Sequence, residues 1–109
     1  MSYKILYASS FEKRLKKLAR KHASLKNDLA RLIEKLEENP EQGTSLGKNC
    51  YKIRLAITSK GKGKSGGARV ITYVLVTEET VYLLSIYDKS DKETISDKEL
   101  LELLEGFDT

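Results

Sequence analysis

The chain has 109 residues, a net charge of +4 and one cysteine, which excludes an internal disulfide and suits a reducing compartment. This length suits one hydrophobic core, so residues 1–109 are expected to form a single domain. No apolar run approaches the length of a membrane span and no signal peptide is evident, so a soluble, cytoplasmic protein without a membrane partner is expected.

The first forty residues predict one strand followed by two helices. Tyr3–Ala8 is short, aromatic and branched, as in a strand, and Ser9 with Glu12 forms the S-x-x-E pattern of a capping box. The helix that follows has an apolar stripe, and its other faces carry Lys13, Arg14, Lys16, Lys17, Arg20 and Lys21. A second, leucine-rich helix is expected to begin at Ser24 and to end near Asn39, because Pro40 follows. The two helices should form a hairpin that packs on a sheet.

The rest of the chain predicts three strands and one helix. After a turn-rich connection at residues 41–49, strands are expected from Cys50, from Arg69 and at Val81–Tyr87. A polar loop follows, and Ser96 or Asp97 is expected to cap a last helix. The predicted fold is α+β in the order β-α-α-β-β-β-α, with a small antiparallel sheet, an N-terminal helical hairpin and a C-terminal helix.

Positive charge is concentrated in the hairpin that begins at Cys50. No acidic residue lies between Gln42 and Glu78, a stretch that holds Lys48, Lys52, Arg54, Lys60, Lys62, Lys64 and Arg69. Strand alternation places Lys52 and Arg54 side by side, on the face opposite Tyr51, Ile53, Leu55 and Ile57. The pattern favours binding to nucleic acid. The alternatives are an acidic protein partner and a solvated hairpin with ordinary surface lysines.

Two motifs of nucleotide-binding proteins occur in the loop but lack their structural context. Residues 61–66 match G-x-G-x-x-G, and residues 63–65 imitate the end of a P-loop, yet a strand follows where both motifs require a helix. Asp88, Asp91 and Glu93 lack the spacing of a calcium loop. His22 is the only histidine and is interpreted as a helix-end residue. Neither a cofactor nor a metal is therefore expected.

Three segments together suggest a family: CYKIRL at residues 50–55, RVITY at residues 69–73 and LLSIYDK at residues 83–89. They resemble the RelE/HigB family, the toxins of bacterial type II toxin–antitoxin modules. The stretch SKGKGKSGGARVITYVL at residues 59–75 is similar to the HigB-type branch in particular. The resemblance implies a ribosome-dependent endoribonuclease that cuts mRNA in the decoding site and so inhibits translation. It also implies a helix-turn-helix antitoxin partner, encoded by an adjacent gene.

The resemblance also implies the site residues. Lys52 and Arg54 match the strand cations of RelE-like toxins, Arg69 matches the arginine that opens the next strand, and Lys89 matches a basic residue after the last strand. Lys48, Lys60, Lys62 and Lys64 are expected to bind the nucleic acid. Ile95 stands where RelE has a tyrosine, and HigB-type relatives tend to be aliphatic there as well.

Two alternatives remain beside the endoribonuclease. The superfamily includes ParE-like toxins directed at DNA gyrase, and a small basic RNA-binding or ribosome-binding module without catalysis would carry similar charge. The four cations Lys52, Arg54, Arg69 and Lys89 favour the endoribonuclease, because a gyrase toxin needs no constellation that cuts a phosphodiester.

Overall fold

The computed structural model describes residues 2–92 and 94–107. Its helices and strands follow in the order β1 (Lys4–Tyr7), α1 (Ser9–Lys21), α2 (Leu25–Glu38), β2 (Thr44–Gly47), β3 (Cys50–Leu55), β4 (Ala68–Leu75), β5 (Thr80–Asp88) and α3 (Asp97–Glu105). Within these described ranges, no helix has both the length and the apolar character needed to cross a membrane.

The strands form one mixed sheet in the order β1-β5-β4-β3-β2. Strands β2 to β5 are antiparallel neighbours, whereas β1 pairs in parallel with β5, with Lys4 opposite Thr80. A parallel neighbour requires a long crossover connection, which the rest of the chain between β1 and β5 supplies. The predicted α+β class and helical hairpin are confirmed, but the expectation of a purely antiparallel sheet is wrong at this edge.

One face of the sheet, here called the helix face, packs against α1 and α2. Alternate residues of β3 and β4, such as Ile53, Leu55 and Val70, point to this side and are buried. The helices contribute Phe11, Leu18, Leu25, Leu29, Leu32 and Leu36 to the same core. The apolar stripes of both helices are thus used to hold the sheet, and their polar sides face outward.

The opposite side, here called the α3 face, is apolar at one end and cationic at the other. Leu100 of α3 packs with Cys50 and Ile71 of the sheet. At the same end the rings of Tyr82 and Phe107 meet edge to face, with centroids 4.5 Å apart. Arg54 lies towards the other end of β3 and is exposed. The C-terminal helix therefore covers one end of the face and leaves the cations of β3 accessible.

The helix caps agree only partly with the sequence patterns. The predicted capping box at Ser9 is wrong, because Ser9 is already helical and Ala8 occupies the cap position without a side-chain bond. Ser24 does precede α2, but its hydroxyl donates to the Asp28 carboxylate at 2.8 Å instead of capping the backbone. The predicted cap of α3 is confirmed, since Ser96 and Glu99 form a reciprocal capping box.

Strand β2 lies in the segment that was expected to be a turn-rich connection. The strand has only four residues, TSLG, and most of them are exposed. Its sequence lacks the alternation of apolar and polar residues that identifies a strand. A tight turn joins it to β3, with Lys48 and Asn49 in left-handed conformations at φ 54° and 62°. Before it, Gly43 lies so close to the Lys52 carbonyl oxygen that a Cβ atom would clash. Backbone geometry, and not hydrophobicity, positions this edge strand.

Candidate active site

The strand register places the predicted cations of β3 and β4 against each other. Arg54 lies directly opposite Arg69, and Arg69 lies opposite Tyr87 on β5. Residues opposed in an antiparallel sheet have Cα atoms about 4.5–5.5 Å apart and point to the same face. Arg54, Arg69 and Tyr87 therefore form a row across three strands on the α3 face. Lys52 begins the next row, opposite Ile71.

Arg69 differs from Arg54 in where its charge is held. Its side chain is 5% exposed, and Nη1 donates to the carbonyl oxygens of Lys64 at 2.9 Å and Ala68 at 3.0 Å. Arg69 thus lies beside Arg54 in the sheet, but its guanidinium is bound to backbone carbonyls. Arg69 fixes the β3–β4 loop (residues 56–67) and places a buried positive charge beneath the site.

A cationic groove runs along β3 and brings together Lys52, Arg54 and Lys64. Its volume is about 440 Å³, and α2 contributes two further cations, Arg31 and Lys35. Sequence reasoning missed this pair, although their i, i+4 spacing predicts that they share one side of the helix. The groove offers a row of donors for phosphate oxygens, which makes this side of β3 the candidate nucleic-acid interface.

Lys52 also reaches the segment that precedes α3. Its Nζ donates to Thr94 Oγ1 at 3.4 Å. Ile95 is half-buried and packs with the apolar end of the α3 face. Thr94 thus contacts the candidate site, whereas Ile95 belongs to the apolar core of the α3 face.

Tyr87 is a site residue that the sequence analysis did not single out. It is 6% exposed, and its hydroxyl has no hydrogen-bond partner among the residues that the structure describes. Burial raises the pKa of Tyr87, and the positive charge of Arg69 opposes this effect. Lys92 Nζ lies 5.7 Å from the centre of the ring. The hydroxyl could have been recognised only from the register that places Tyr87 beside Arg69.

The base of the β3–β4 loop is fixed by Asp88, the last residue of β5. Lys60 Nζ donates to Asp88 Oδ1 at 2.9 Å, and His22 Nε2 lies 3.1 Å from Oδ2. Lys60, which was expected to bind the nucleic acid, is held in this ion pair with a side chain that is 14% exposed. His22 does end α1, as interpreted, but it also joins the helix to the end of β5.

A second buried carboxylate, Asp28 of α2, also holds the base of the β3–β4 loop. Asp28 accepts hydrogen bonds from the Thr58 amide at 2.9 Å and from the Thr58 hydroxyl at 2.6 Å. Burial alone would raise the pKa of Asp28, but these bonds and that from Ser24 lower it. The loop tip is different, because Lys62 and Lys64 are exposed there. The β3–β4 loop therefore has a fixed base and two accessible lysines at its tip.

The structure separates Lys48 from the other predicted cations and brings Lys89 close to them. Lys48 lies in the turn that precedes β3, whereas the β3–β4 loop leaves the other end of that strand. The amide of Lys89 donates to the Gly67 carbonyl oxygen at 3.0 Å, which places it beside the end of the loop. Lys89 is thus adjacent to the row of Arg54, Arg69 and Tyr87, and Lys48 is remote from it.

The only cysteine of the sequence, Cys50, lies at the start of β3. Cys50 is fully buried, and burial raises the pKa of its thiol to about 11, although the charge of Lys48 opposes the shift. Within residues 2–92 and 94–107, no group of three or more His, Cys, Asp or Glu side chains is arranged to hold a metal ion.

Known proteins share this fold. The isolated Escherichia coli RelE toxin is 18% identical, with a TM-score of 0.62 and coverage of 95% of this chain and 97% of that chain. In the intact E. coli RelBE toxin–antitoxin complex, the matching chain is 20% identical, with a TM-score of 0.62 and coverage of 80% and 96%. A RelE mutant bound to an antitoxin RelBc peptide is 19% identical, with a TM-score of 0.63 and coverage of 94% of both chains.

The sequence itself matches a family described as the RelE toxin of the RelE/RelB toxin–antitoxin system, over residues 8–106. That range includes every strand and helix except the first strand. The chain therefore belongs to the RelE family, and it is a toxin of the type II toxin–antitoxin class.

Proposed function

We propose that this toxin is a ribosome-dependent endoribonuclease that cuts mRNA in the cytoplasm. The observation that carries the proposal is the pair of opposed arginines, Arg54 and Arg69, with Lys52 in the next row. Like charges directly opposite each other destabilise a sheet, so their placement favours a function that requires positive charge. The scissile phosphodiester of RNA is the polyanion that we assign to this face.

The reaction that suits these groups uses the ribose 2′-OH as the nucleophile. Its oxygen forms a bond to the phosphorus, the bond from phosphorus to the 5′-oxygen breaks, and a 2′,3′-cyclic phosphate remains. Arg54 donates to the phosphate oxygens, where negative charge increases in the transition state, and Arg69 adds its charge from beneath. Lys52 is the proposed acceptor of the 2′-OH proton, and Lys89 the proposed donor to the leaving oxygen.

Dependence on the ribosome follows from how little of the reaction geometry the toxin fixes by itself. The groove beside Lys52 and Arg54 is open to solvent, and an RNA strand lying there would keep much of its conformational freedom. A ribosome that holds the mRNA extended would supply the missing orientation.

The activity can be tested with purified toxin and a translated mRNA. Cleavage inside the coding region is expected with translating ribosomes and little cleavage without them. The double variant Lys52→Ala/Arg54→Ala should lose cleavage, whereas the control Lys4→Ala/Lys98→Ala removes the same charge from exposed positions on β1 and α3 and should cleave normally. Equal cleavage of untranslated RNA would contradict ribosome dependence. Double-strand DNA breaks at gyrase sites would instead identify a gyrase-directed toxin.

We also propose that a helix-turn-helix antitoxin, encoded by an adjacent gene, neutralises the toxin. The E. coli relatives of similar fold have been solved with RelB or with a peptide of it. An acidic antitoxin segment over Lys52 and Arg54 would be steered by charge, so association should slow as salt rises. Chemical modification of Lys52 should then be suppressed in the complex. Unchanged modification would leave exclusion from the ribosome as the means of inhibition.

A further inference from the structure

The outer side of α1 carries a second concentration of positive charge, separate from the groove beside β3. Six of its 13 residues are basic and one, Glu12, is acidic. The basic residues are Lys13, Arg14, Lys16, Lys17, Arg20 and Lys21, all exposed. In the described part of the chain, no ion pair joins any of them to a carboxylate. These cations form what is here called the α1 basic face.

The spacing of these residues is unfavourable for the helix alone. Lys13 and Lys17 are four positions apart, as are Lys16 and Arg20, so like charges are neighbours on one side. Such pairs of like charges destabilise a helix. The other helices are built differently, because α2 mixes both signs and α3 is mainly acidic. The unpaired charge of α1 is therefore a local property and not the general character of the surface.

We propose that the α1 basic face binds the phosphate backbone of structured RNA, which for this toxin is ribosomal RNA. Phosphate is favoured over an acidic protein because no apolar side chain is exposed among the cations of α1. Protein interfaces need such an apolar centre and are depleted in lysine, whereas a backbone of phosphates needs only repeated cations. The 13-residue helix offers them on a rigid line about 20 Å long.

Both ends of the α1 basic face lie next to the candidate active site. Arg14 lines a cavity of about 260 Å³ together with Tyr87 and Lys92. At the other end of α1, His22 contacts Asp88, the residue that precedes Lys89. A large RNA that contacts α1 would therefore extend past the end of β5. This inference rests on the proposed function for the identity of the RNA, but not for the chemistry of the contact.

The test compares two variants that remove the same charge. Lys13→Gln/Lys17→Gln takes two cations from the α1 basic face, and Lys4→Gln/Lys98→Gln takes two exposed cations from β1 and α3. Binding to purified ribosomes and to a short RNA duplex is measured over a range of salt concentrations. The α1 variant should bind more weakly, and its plot of log affinity against log salt should be flatter by about 2. The control should match the wild-type protein.

The outcomes separate this inference from the proposed function. Cleavage by the α1 variant should reach the wild-type rate once ribosomes are saturating, because the face binds and does not react. Equal affinity and equal salt slope for both variants would overturn the inference, even if the wild type cuts mRNA. A wild type that does not cut mRNA, but binds RNA through α1, would overturn only the proposed function. Weaker binding to polyglutamate with unchanged RNA binding would identify an acidic protein as the partner and overturn the inference.

Discussion

Lys60 and Asp88 form an ion pair at 2.9 Å in which both side chains are largely buried. The pair joins the β3–β4 loop to the end of β5, and His22 meets the same carboxylate. Burial alone would raise the pKa of Asp88, but hydrogen bonds from Ser90 and Lys60 outweigh that effect and hold the pKa well below its ordinary value. The ionised form of Asp88 is therefore favoured by folding.

Asp88→Asn should lower the free energy of unfolding by about 2 kcal/mol at neutral pH, because the buried Lys60 loses its counter-charge. Since the folded-state pKa of Asp88 is lowered, its contribution exists above the unfolded pKa of about 4 and is lost as pH falls. The difference between wild type and variant should thus shrink on acidification below about pH 4, as measured by urea unfolding. Asp91→Asn changes a neighbouring exposed carboxylate and is the control. A difference that is constant from pH 7 to pH 3 would contradict this role.

Arg54→Ala and Arg69→Ala should separate catalysis from binding. Each should reduce cleavage at saturating ribosomes by about 10²–10³-fold, as expected for the loss of a group that stabilises transition-state charge. Arg69→Ala should in addition weaken ribosome binding, because the loop carbonyls of Lys64 and Ser65 lose their donor. Single-turnover rates and binding constants measure the two effects. Normal cleavage by saturated Arg69→Ala would reduce Arg69 to a loop anchor.

The two exposed loop lysines, Lys62 and Lys64, are expected to act in ribosome binding and not in cleavage. Lys62→Gln/Lys64→Gln should weaken ribosome binding and flatten its salt dependence by about 2, with less effect on single-turnover cleavage. Their side chains are exposed, so unfolding should be unchanged. A large loss of cleavage rate at saturation would place one of them among the reacting groups.

Tyr87→Phe should leave the fold intact, because it removes only a buried hydroxyl without a partner among the described residues. The free energy of unfolding should stay the same or increase, since an unsatisfied polar group is lost. Cleavage should fall about tenfold if the buried hydroxyl helps to position Arg69, which lies opposite Tyr87 in the sheet. Tyr82→Phe alters a ring at the apolar end of the same face and is the matched control. Equal activity of both variants would limit Tyr87 to packing.

Leu100→Ala should destabilise the protein by about 2–4 kcal/mol, whereas Leu101→Ala should change the free energy of unfolding by less than about 0.5 kcal/mol. Leu100 is 4% exposed against the sheet, and its neighbour Leu101 is 42% exposed. Thermal unfolding of the two variants compares them directly. Similar losses for both would mean that α3 does not dock through the residues seen here.

The sequence was sufficient for elements whose signal is hydrophobic or local. The leucine spacing of α2, the residue before Pro40 and the predicted cap of the last helix each have a direct structural counterpart. It was insufficient where distant segments decide the result. The parallel place of β1 depends on β5, and the strand of residues 44–47 depends on its pairing with β3.

The same distinction holds for the candidate site. Alternation alone places Lys52 and Arg54 on one face, but only the register reveals that Arg54 opposes Arg69 and that Tyr87 continues the row. Charge counting treated Lys60 and Lys62 as equals, since it cannot detect the buried Asp88 that pairs with one of them. Tertiary contacts, and not composition, distinguish a binding cation from a structural one.

The pairing of β1 with β5 also affects how the sheet assembles. Lys4 has its sheet neighbour at Thr80, and pairings between such distant segments form slowly. The β1 edge of the sheet stays open until β5 has left the ribosome, and Tyr87 and Lys89 emerge at the same stage. The β1 edge of the sheet and the row that contains Tyr87 therefore both depend on the placement of one strand, β5.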